Sequence, residues 1–561
     1  MYPIRCRVPA STGDILYLCG VSAAYLLGGV HLLQMLGAWA DGTLCIVLAS
    51  LYMGLYLIAD RRMPDDTSLS TTSLTLAVGF ALLATALLAD GDVLTAIWAL
   101  EAAALAYVGR HTGLGLLEYF ALPAWLLAAG ASLLAVPSLL TPQETVILNG
   151  RFVTFAFVVS AALLIVHLQL RVAASRADAR PLAESVLWLA TPLLLFAVSL
   201  EVHDAMEGSR ATSDTAEWFV MATLWAVVAF ALHMLTIGAK LRSTSLLTFI
   251  IFGAASVTVL VLLGLGGLDE PWRVFVNWRF GSMAVIGAAM TVAAWLRCYW
   301  SETEEPPADA LWLPGVAMLA LAPSVETYTG VAEAVTTAPV PSGLLAAAAV
   351  WVVVSAAGCA LGTTKRLPAL QAFTIIMTFG GIALTIIASE LPANDLWAPF
   401  VNLRVLAFAA CIAAVAVESR LMRITEAADG SDEPGLAAAS ALAVFAALLA
   451  LWPITKEIFV AFLWSEYPSA EMWRNAAQVA ISLSWGAYAA VCLAWGMTRR
   501  NRIARWLGLI VLAAAVLKLF IWDLSFLEQP YRILSFGVLG LVLVGVAWAY
   551  SRYSERLREL T

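Results

Sequence analysis

Apolar stretches of about 20 residues recur along the whole chain, and most of the charge falls in the short joints between them. A helix needs roughly 20 apolar residues to cross a bilayer, so each stretch reads as a membrane span. The predicted limits are 15–36, 43–59, 69–89, 93–109, 115–136, 151–170, 183–202, 217–239, 245–267, 280–298, 308–325, 343–362, 367–389, 403–420, 435–454, 475–496, 504–522 and 532–550. Spans 43–59, 93–109 and 308–325 are short or interrupted. The fold class is therefore an all-α integral membrane protein with about 18 transmembrane helices. The joints are too short to hold a soluble domain of ordinary size.

The joints alternate in character. Even-numbered spans end in basic joints, such as Asp60-Arg61-Arg62, Gly109-Arg110-His111, Lys240-Leu241-Arg242, Lys365-Arg366 and Arg499-Arg500-Asn501-Arg502. Odd-numbered spans end in joints rich in acids and aromatics: Asp204 to Glu217, Asp269 to Trp272, Glu390 to Trp397 and Glu457 to Trp473. Lys and Arg accumulate on the cytoplasmic side, which places both termini in the cytoplasm and the acidic joints outside.

A second pattern is laid over the first. Three joints share Asn-x-Arg: Asn149-Gly150-Arg151, Asn277-Trp278-Arg279 and Asn402-Leu403-Arg404. The arginines lie 128 and 125 residues apart, and a further 128 reaches Arg532 in Gln529-Pro530-Tyr531-Arg532. Upstream stand Trp98, Trp225, Trp351 and Trp485, separated from their arginines by 53, 54, 53 and 47 residues. Between Trp and Arg lies a glycine before a basic hinge: Gly109, Gly238, Gly362 and Gly496. Self-similarity at a fixed period marks repeat architecture. The expected plan is a partial unit at 1–67, then direct four-helix repeats of about 127 residues at 68–182, 183–307, 308–433 and 434–561. An even helix number gives every repeat the same orientation, as in parallel rather than inverted transporter repeats.

Composition agrees with a membrane protein. The chain is 62% hydrophobic and 12% charged, with mean hydropathy +0.87. Five of its seven cysteines (Cys19, Cys45, Cys359, Cys411, Cys492) fall inside spans, away from the end residues, and there is no CxxC, so they read as small core residues. The basic start before 15–36 resembles a signal peptide, but an uncleaved first span is favoured by the spans that follow and the lack of a small-residue cleavage site. No basic run suggests nucleic acid. No Walker loop, dinucleotide fingerprint, zinc motif or nucleophile elbow is present, and no cofactor is expected.

The carboxy end carries a family resemblance. Trp506-Leu507-Gly508, the run Leu517-Lys518-Leu519-Phe520-Ile521-Trp522-Asp523-Leu524, then Tyr531-Arg532-Ile533-Leu534-Ser535-Phe536 and Trp548-Ala549-Tyr550, resemble the end of a bacterial predicted membrane protein family, domain of unknown function 2339. Trp98-Ala99-Leu100-Glu101-Ala102 resembles its Trp-x-x-Glu-Gly helix, with Ala102 in place of Gly, and the Asn-x-Arg joints resemble its helix starts. The resemblance extends over most of the chain and implies a many-helix bacterial inner-membrane protein. It assigns no activity. Members are typically longer, so the chain is expected to be a shortened member.

Candidate polar residues fall into three sets. Arg151, Arg279, Arg404 and Arg532 can hold phosphate or carboxylate through two parallel hydrogen bonds. The favoured reading is structural: Asn caps the helix, and acids in each joint (Glu144; Asp269 and Glu270; Glu390 and Asp395; Asp523 and Glu528) offset a cation at the positive helix end. A second set follows the first helix of each repeat: Asp90, Glu201, Glu326 and Glu457. Glu201 or Glu457 would be the base of an outer-face glycosyltransferase. Third, Glu101 and Lys518 are ionisable inside spans, where such groups face the interior or a wet cavity. Glu101 shares a face with Trp98, and Lys518 is placed to snorkel towards Asp523. Glu201-x-His203-Asp204 has metal-ligand types on unlike helix faces and is not expected to bind metal. His167 and His233 read as core residues, and Trp272, Trp278, Trp397, Trp464 and Trp473 as interfacial anchors.

The leading expectation is a non-catalytic envelope scaffold that binds lipid or polymer. Membrane lipids and another envelope membrane protein are the expected partners. The alternatives are a transporter or flippase of an amphiphile and a polyprenyl-sugar glycosyltransferase.

Overall fold

Small side chains let these helices approach closely. In the computed structural model, Ala121, Ala124 and Ala128 form a completely buried stripe along one helix, and Ala222, Ala226 and Ala229 form another. Lipid is as apolar as leucine, so tight packing of small residues takes the place of the hydrophobic effect in holding spans together. The structure describes residues 9–33, 38–64, 66–134, 149–172, 179–207, 214–264, 275–300, 308–335, 338–365, 367–391, 398–429, 433–463, 470–498 and 502–518, with scattered positions between 533 and 545. The described chain is all-helical apart from joints, and 15 helices are long and apolar enough to span a membrane.

The fold divides into two compact units, Met1–Thr258 and Val259–Thr561. The first opens with α1 (Thr12–Leu33), α2 (Ala38–Arg62) and α3 (Thr67–Leu88). Leu48, Tyr52 and Leu55 of α2 pack on Leu69, Ala77 and Phe80 of α3. Next come α4 (Gly91–Thr112), α5 (Gly115–Leu134), α6 (Gly150–Val172), α7 (Ala179–Glu207), α8 (Asp214–Ala239) and α9 (Arg242–Gly264). Helix α4 packs against both α5 and α6, and α6 against α7.

The second unit continues with α10 (Trp278–Trp300), α11 (Ala308–Ala334), α12 (Pro339–Lys365), α13 (Pro368–Glu390) and α14 (Leu403–Asp429). It ends with α15 (Glu433–Leu449), α16 (Leu451–Leu463), α17 (Ala470–Thr498) and α18 (Arg502–Lys518). Helix α12 packs against both α13 and α14, as α4 does against α5 and α6. Val352, Ile382, Phe408, Val415 and Leu442 form a buried core of this unit.

Two differences from the sequence expectation have physical causes. The span at 435–454 is two helices, broken between Leu449 and Leu451. Pro453 lacks the N–H that would bond to the carbonyl of Leu449, and its ring crowds that carbonyl. Several helices also outrun their apolar stretches: α11 continues to Ala334 and α16 to Leu463. Glu326 and Glu457 therefore sit within helices, not in the joints that follow. Charge ends an apolar count, but it does not end a helix when the charge has a buried partner. Of the last span, 532–550, only scattered positions are described, and Arg532 and Asp523 lie outside the described residues.

The hinge glycines are close-packing points. A Cβ on Gly109 would lie 2.7 Å from the backbone nitrogen of Glu118, and one on Gly496 2.6 Å from that of Arg505. At Gly362 the nitrogen of Gln371 would be 3.2 Å away. In all three the neighbour is nine residues on. Gly238 departs from this pattern, since a Cβ there meets nothing within 4 Å.

Candidate functional site: three buried Asn-Arg-Glu clusters

Each Asn-x-Arg joint is a helix start. The side-chain Oδ1 of Asn149 accepts from the N–H of Phe152 at 2.7 Å, Asn277 from Phe280 at 2.7 Å, and Asn402 from Val405 at 3.0 Å. That is N-capping geometry, which satisfies one of the four orphan donors at a helix start. The cap fixes the amide's orientation, so Nδ2 must point away from the helix. In all three it points at a glutamate on the next helix. Asn149 Nδ2 lies 3.0 Å from both carboxylate oxygens of Glu201. Asn277 Nδ2 reaches Glu326 Oε2 and Asn402 Nδ2 reaches Glu457 Oε2, each at 2.9 Å.

The arginine, two residues after the cap, meets the same carboxylate. Arg151 Nη2 donates to Glu201 Oε1 at 2.9 Å, and also to Asp204. Arg279 donates to Glu326 Oε1 through Nε at 3.2 Å and Nη2 at 3.0 Å. Arg404 Nε donates to Glu457 Oε1 at 2.7 Å. These arginines are at most 6% exposed, and Arg404 is completely buried. A buried charge is tolerated only when it is paired and hydrogen-bonded. The clusters meet that condition.

A backbone donor completes two of the clusters. Phe275 and Phe400, two residues before the cap, have φ of 60° and 64°. Left-handed backbone at a non-glycine residue costs roughly 1–2 kcal/mol. It turns the N–H of Phe275 onto Glu326 Oε2 at 3.2 Å and that of Phe400 onto Glu457 Oε2 at 2.7 Å. The charge-assisted bond offsets the strain. Phenylalanine suits the first position because its ring stands edge-on to Phe280, with centroids 5.2 Å apart.

The sequence placed the arginines and Glu201, Glu326 and Glu457 in separate sets, and expected acids of the joints to neutralise the arginines. The structure joins the two sets. Glu390, one of the expected joint acids, instead pairs with Lys456 at 2.6 Å. Glu144, Asp269, Glu270, Asp395, Asp523, Glu528 and Arg532 are outside the described residues. Three residues on from each glutamate, the helix presents Asp204, Thr329 or Val460. Arg279 reaches Thr329 Oγ1 at 3.4 Å. The clusters thus share a core and differ at one edge.

The remaining candidates separate. His203 faces Glu217 at 2.9 Å, while Glu201 and Asp204 face Arg151, so the three metal-ligand types do not converge. Among the described residues no metal-binding group of three forms. Glu101 and Trp98 both meet Thr85 on α3: Trp98 Nε1 donates to its Oγ1 at 3.0 Å, and that hydroxyl donates to Glu101 Oε2 at 3.4 Å. Lys518 Nζ reaches Ser482 Oγ at 2.8 Å and the carbonyl of Gln478 at 3.4 Å, both on α17. Sequence reasoning missed the hydroxyl two residues before the glutamates. Trp225 Nε1 donates to Ser199 Oγ and Trp485 Nε1 to Thr455 Oγ1, each at 2.9 Å. Ser/Thr-x-Glu (Ser199-x-Glu201, Ser324-x-Glu326, Thr455-x-Glu457) was the available signal. It also missed Glu418, a completely buried acid on α14.

The two roles of the Asn are separable. Asn402→Asp keeps an oxygen for the cap but removes the donor to Glu457 and sets a second carboxylate beside it. Glu457 Oε2 keeps the Phe400 N–H, so the loss is one hydrogen bond to a charged group, worth about 1.5–3 kcal/mol. A lowered thermal midpoint of the purified protein is the expected result, and an unchanged midpoint would remove the amide's role.

The predicted membrane protein family DUF2339 has a model that matches residues 268–553, the carboxy-terminal half, which includes the second and third clusters. No curated protein and no solved structure matches the chain. The matched segment is just over half of the 561 residues and contains the carboxy-terminal motifs noted above, and the chain belongs to the DUF2339 family of predicted membrane proteins.

Proposed function

We propose that the chain is a non-catalytic scaffold of the bacterial cytoplasmic membrane, built from direct four-helix repeats whose joints face outward and whose termini are cytoplasmic. Its partners are membrane lipids and another envelope membrane protein. The observation that carries this reading is the closure of the three clusters. Each glutamate is at most 5% exposed and accepts from both an amide and a guanidinium. On the expected repeat boundaries each cluster ties the arginine of one repeat to the first helix of the next. That is the nearest-neighbour coupling that stabilises a repeat array. The alternation of basic and acidic joints supports the orientation.

The same closure counts against a glycosyltransferase based on Glu201 or Glu457. A general base must reach the proton it removes, and these carboxylates are spent on arginine. Transport of an amphiphile retains Glu101 and Lys518 as support, although both are hydrogen-bonded to a neighbouring helix. The test is flux in liposomes containing the purified protein and a fluorescent lipid analogue. The scaffold reading expects the rate of protein-free liposomes. Faster movement that is lost in Glu101→Gln or Lys518→Met overturns it in favour of transport.

A further inference from the structure

Glu418 stands apart from the paired acids. It lies 14 residues after Arg404 on α14, about 21 Å along the helix at 1.5 Å per residue. Its side chain is completely buried. One carboxyl oxygen, Oε1, accepts from Thr378 Oγ1 of α13 at 2.5 Å. The other, Oε2, is buried with no hydrogen-bond partner among the described residues.

The helices packed on α14 are α12, α13, α15 and α16. From α12 the titratable neighbour among the described side chains is the buried thiol of Cys359, within electrostatic reach of the carboxyl. The charged side chains described on α13 and α16 are Glu390, Lys456 and Glu457, all engaged at the Arg404 end. The described side chains of α15 include none that titrates. On α14 itself, Arg420 is exposed and Arg423 half-buried. No described cation is paired with Glu418. The positions 14 residues after Arg151 and Arg279 are Ile165 and Ala293, both buried and apolar. The acid is therefore no part of the recurring clusters, and an apolar side chain fills the same place elsewhere.

A carboxylate with one hydroxyl donor and no counter-charge is not held ionised in an apolar interior, and such a group takes a proton instead. Ionisable groups at membrane depth face the protein interior and mark proton relays. We propose that Glu418 is a proton-binding site: its carboxylate takes up one proton to become a neutral carboxylic acid between α12, α13 and α14, and releases that proton when the group is opened to water. The exchange is carboxylate plus proton to carboxylic acid, with no other reactant. This goes beyond the scaffold reading and does not depend on it, since a scaffold can carry a protonated core acid.

Infrared difference spectroscopy of the purified full chain at neutral pH tests the site. Subtracting the Glu418→Gln spectrum from wild type is expected to leave the carbonyl band of a protonated carboxylic acid. Gln keeps an oxygen for Thr378 and adds no charge. Loss of a carboxylate band instead, whether or not it responds to sodium, overturns the proposal. Should the Gln variant fail to fold, the wild type is treated with dicyclohexylcarbodiimide, and Glu418 is read by peptide mass spectrometry. The acid proton adds to a carbodiimide nitrogen and the carboxyl oxygen to its central carbon, so the whole reagent mass is retained. Labelling of Glu418 that declines as pH rises is expected, and labelling that is pH-independent or absent in detergent-opened protein overturns it.

Discussion

Glu457→Ala is expected to cost about 3–5 kcal/mol, because it strands Arg404 as a buried cation. Arg404 is 0% exposed, and its Nε bond to Glu457 is 2.7 Å. The same change removes one of two acceptors for Asn402 Nδ2, leaving the carbonyl of Ala398, and removes the acceptor for the N–H of Phe400, so the left-handed backbone at Phe400 loses its compensation. A double-mutant cycle separates charge from shape. Arg404→Met combined with Glu457→Leu removes both charges and keeps apolar volume. A buried ion pair exchanged for packed apolar groups is often neutral or stabilising, so the double variant should recover most of the loss. Thermal midpoint and detergent-resistant yield would report it. If Glu457→Ala and the double variant lose equal stability, the pair contributes nothing specific. If neither loses any, the cluster does not hold α14 to α16.

The same cluster shows what was legible in the sequence. Span positions could be read because apolar runs carry them directly, and the capping role of Asn149, Asn277 and Asn402 followed from residue type and place. The pairing of Arg404 with Glu457 could not be read, because the two are 53 residues apart and belong to helices whose packing no local pattern encodes. The apolar count also ended α11 and α16 at or before their glutamates, although buried pairing carries both helices beyond them. Pro453 was visible, but whether a proline kinks or divides a span depends on its neighbours. Phe275 and Phe400 gave no sign of left-handed backbone, since glycine is the residue that usually announces it. Glu418 was overlooked because it sits near Arg420 and Arg423 at a span end, where an acid reads as solvated.

Alanine substitution at the four hinge glycines is expected to give graded effects, from loss to gain. In a helix, Gly→Ala by itself stabilises by roughly 1 kcal/mol. Against this stands overpacking, which costs about 1–3 kcal/mol when neighbours must shift. At Gly496 the new Cβ would lie 2.6 Å from Arg505 N and 3.0 Å from Ala504 C, both backbone atoms that cannot rotate away. Gly109 is nearly as tight, with Glu118 N at 2.7 Å. At Gly362 the nearest atom is the flexible Cγ of Gln371 at 2.9 Å, and the backbone nitrogen is 3.2 Å away, so a small adjustment suffices. Gly238 has open space and keeps only the propensity gain. The thermal midpoints should therefore fall most for Gly496→Ala and Gly109→Ala, change little for Gly362→Ala, and rise for Gly238→Ala. The glycines occupy equivalent places in the sequence pattern, so composition and hydropathy predict equal effects. Equal midpoints across the four variants would mean that the close approach of helix to hinge carries no energy, and that the glycines recur for another reason.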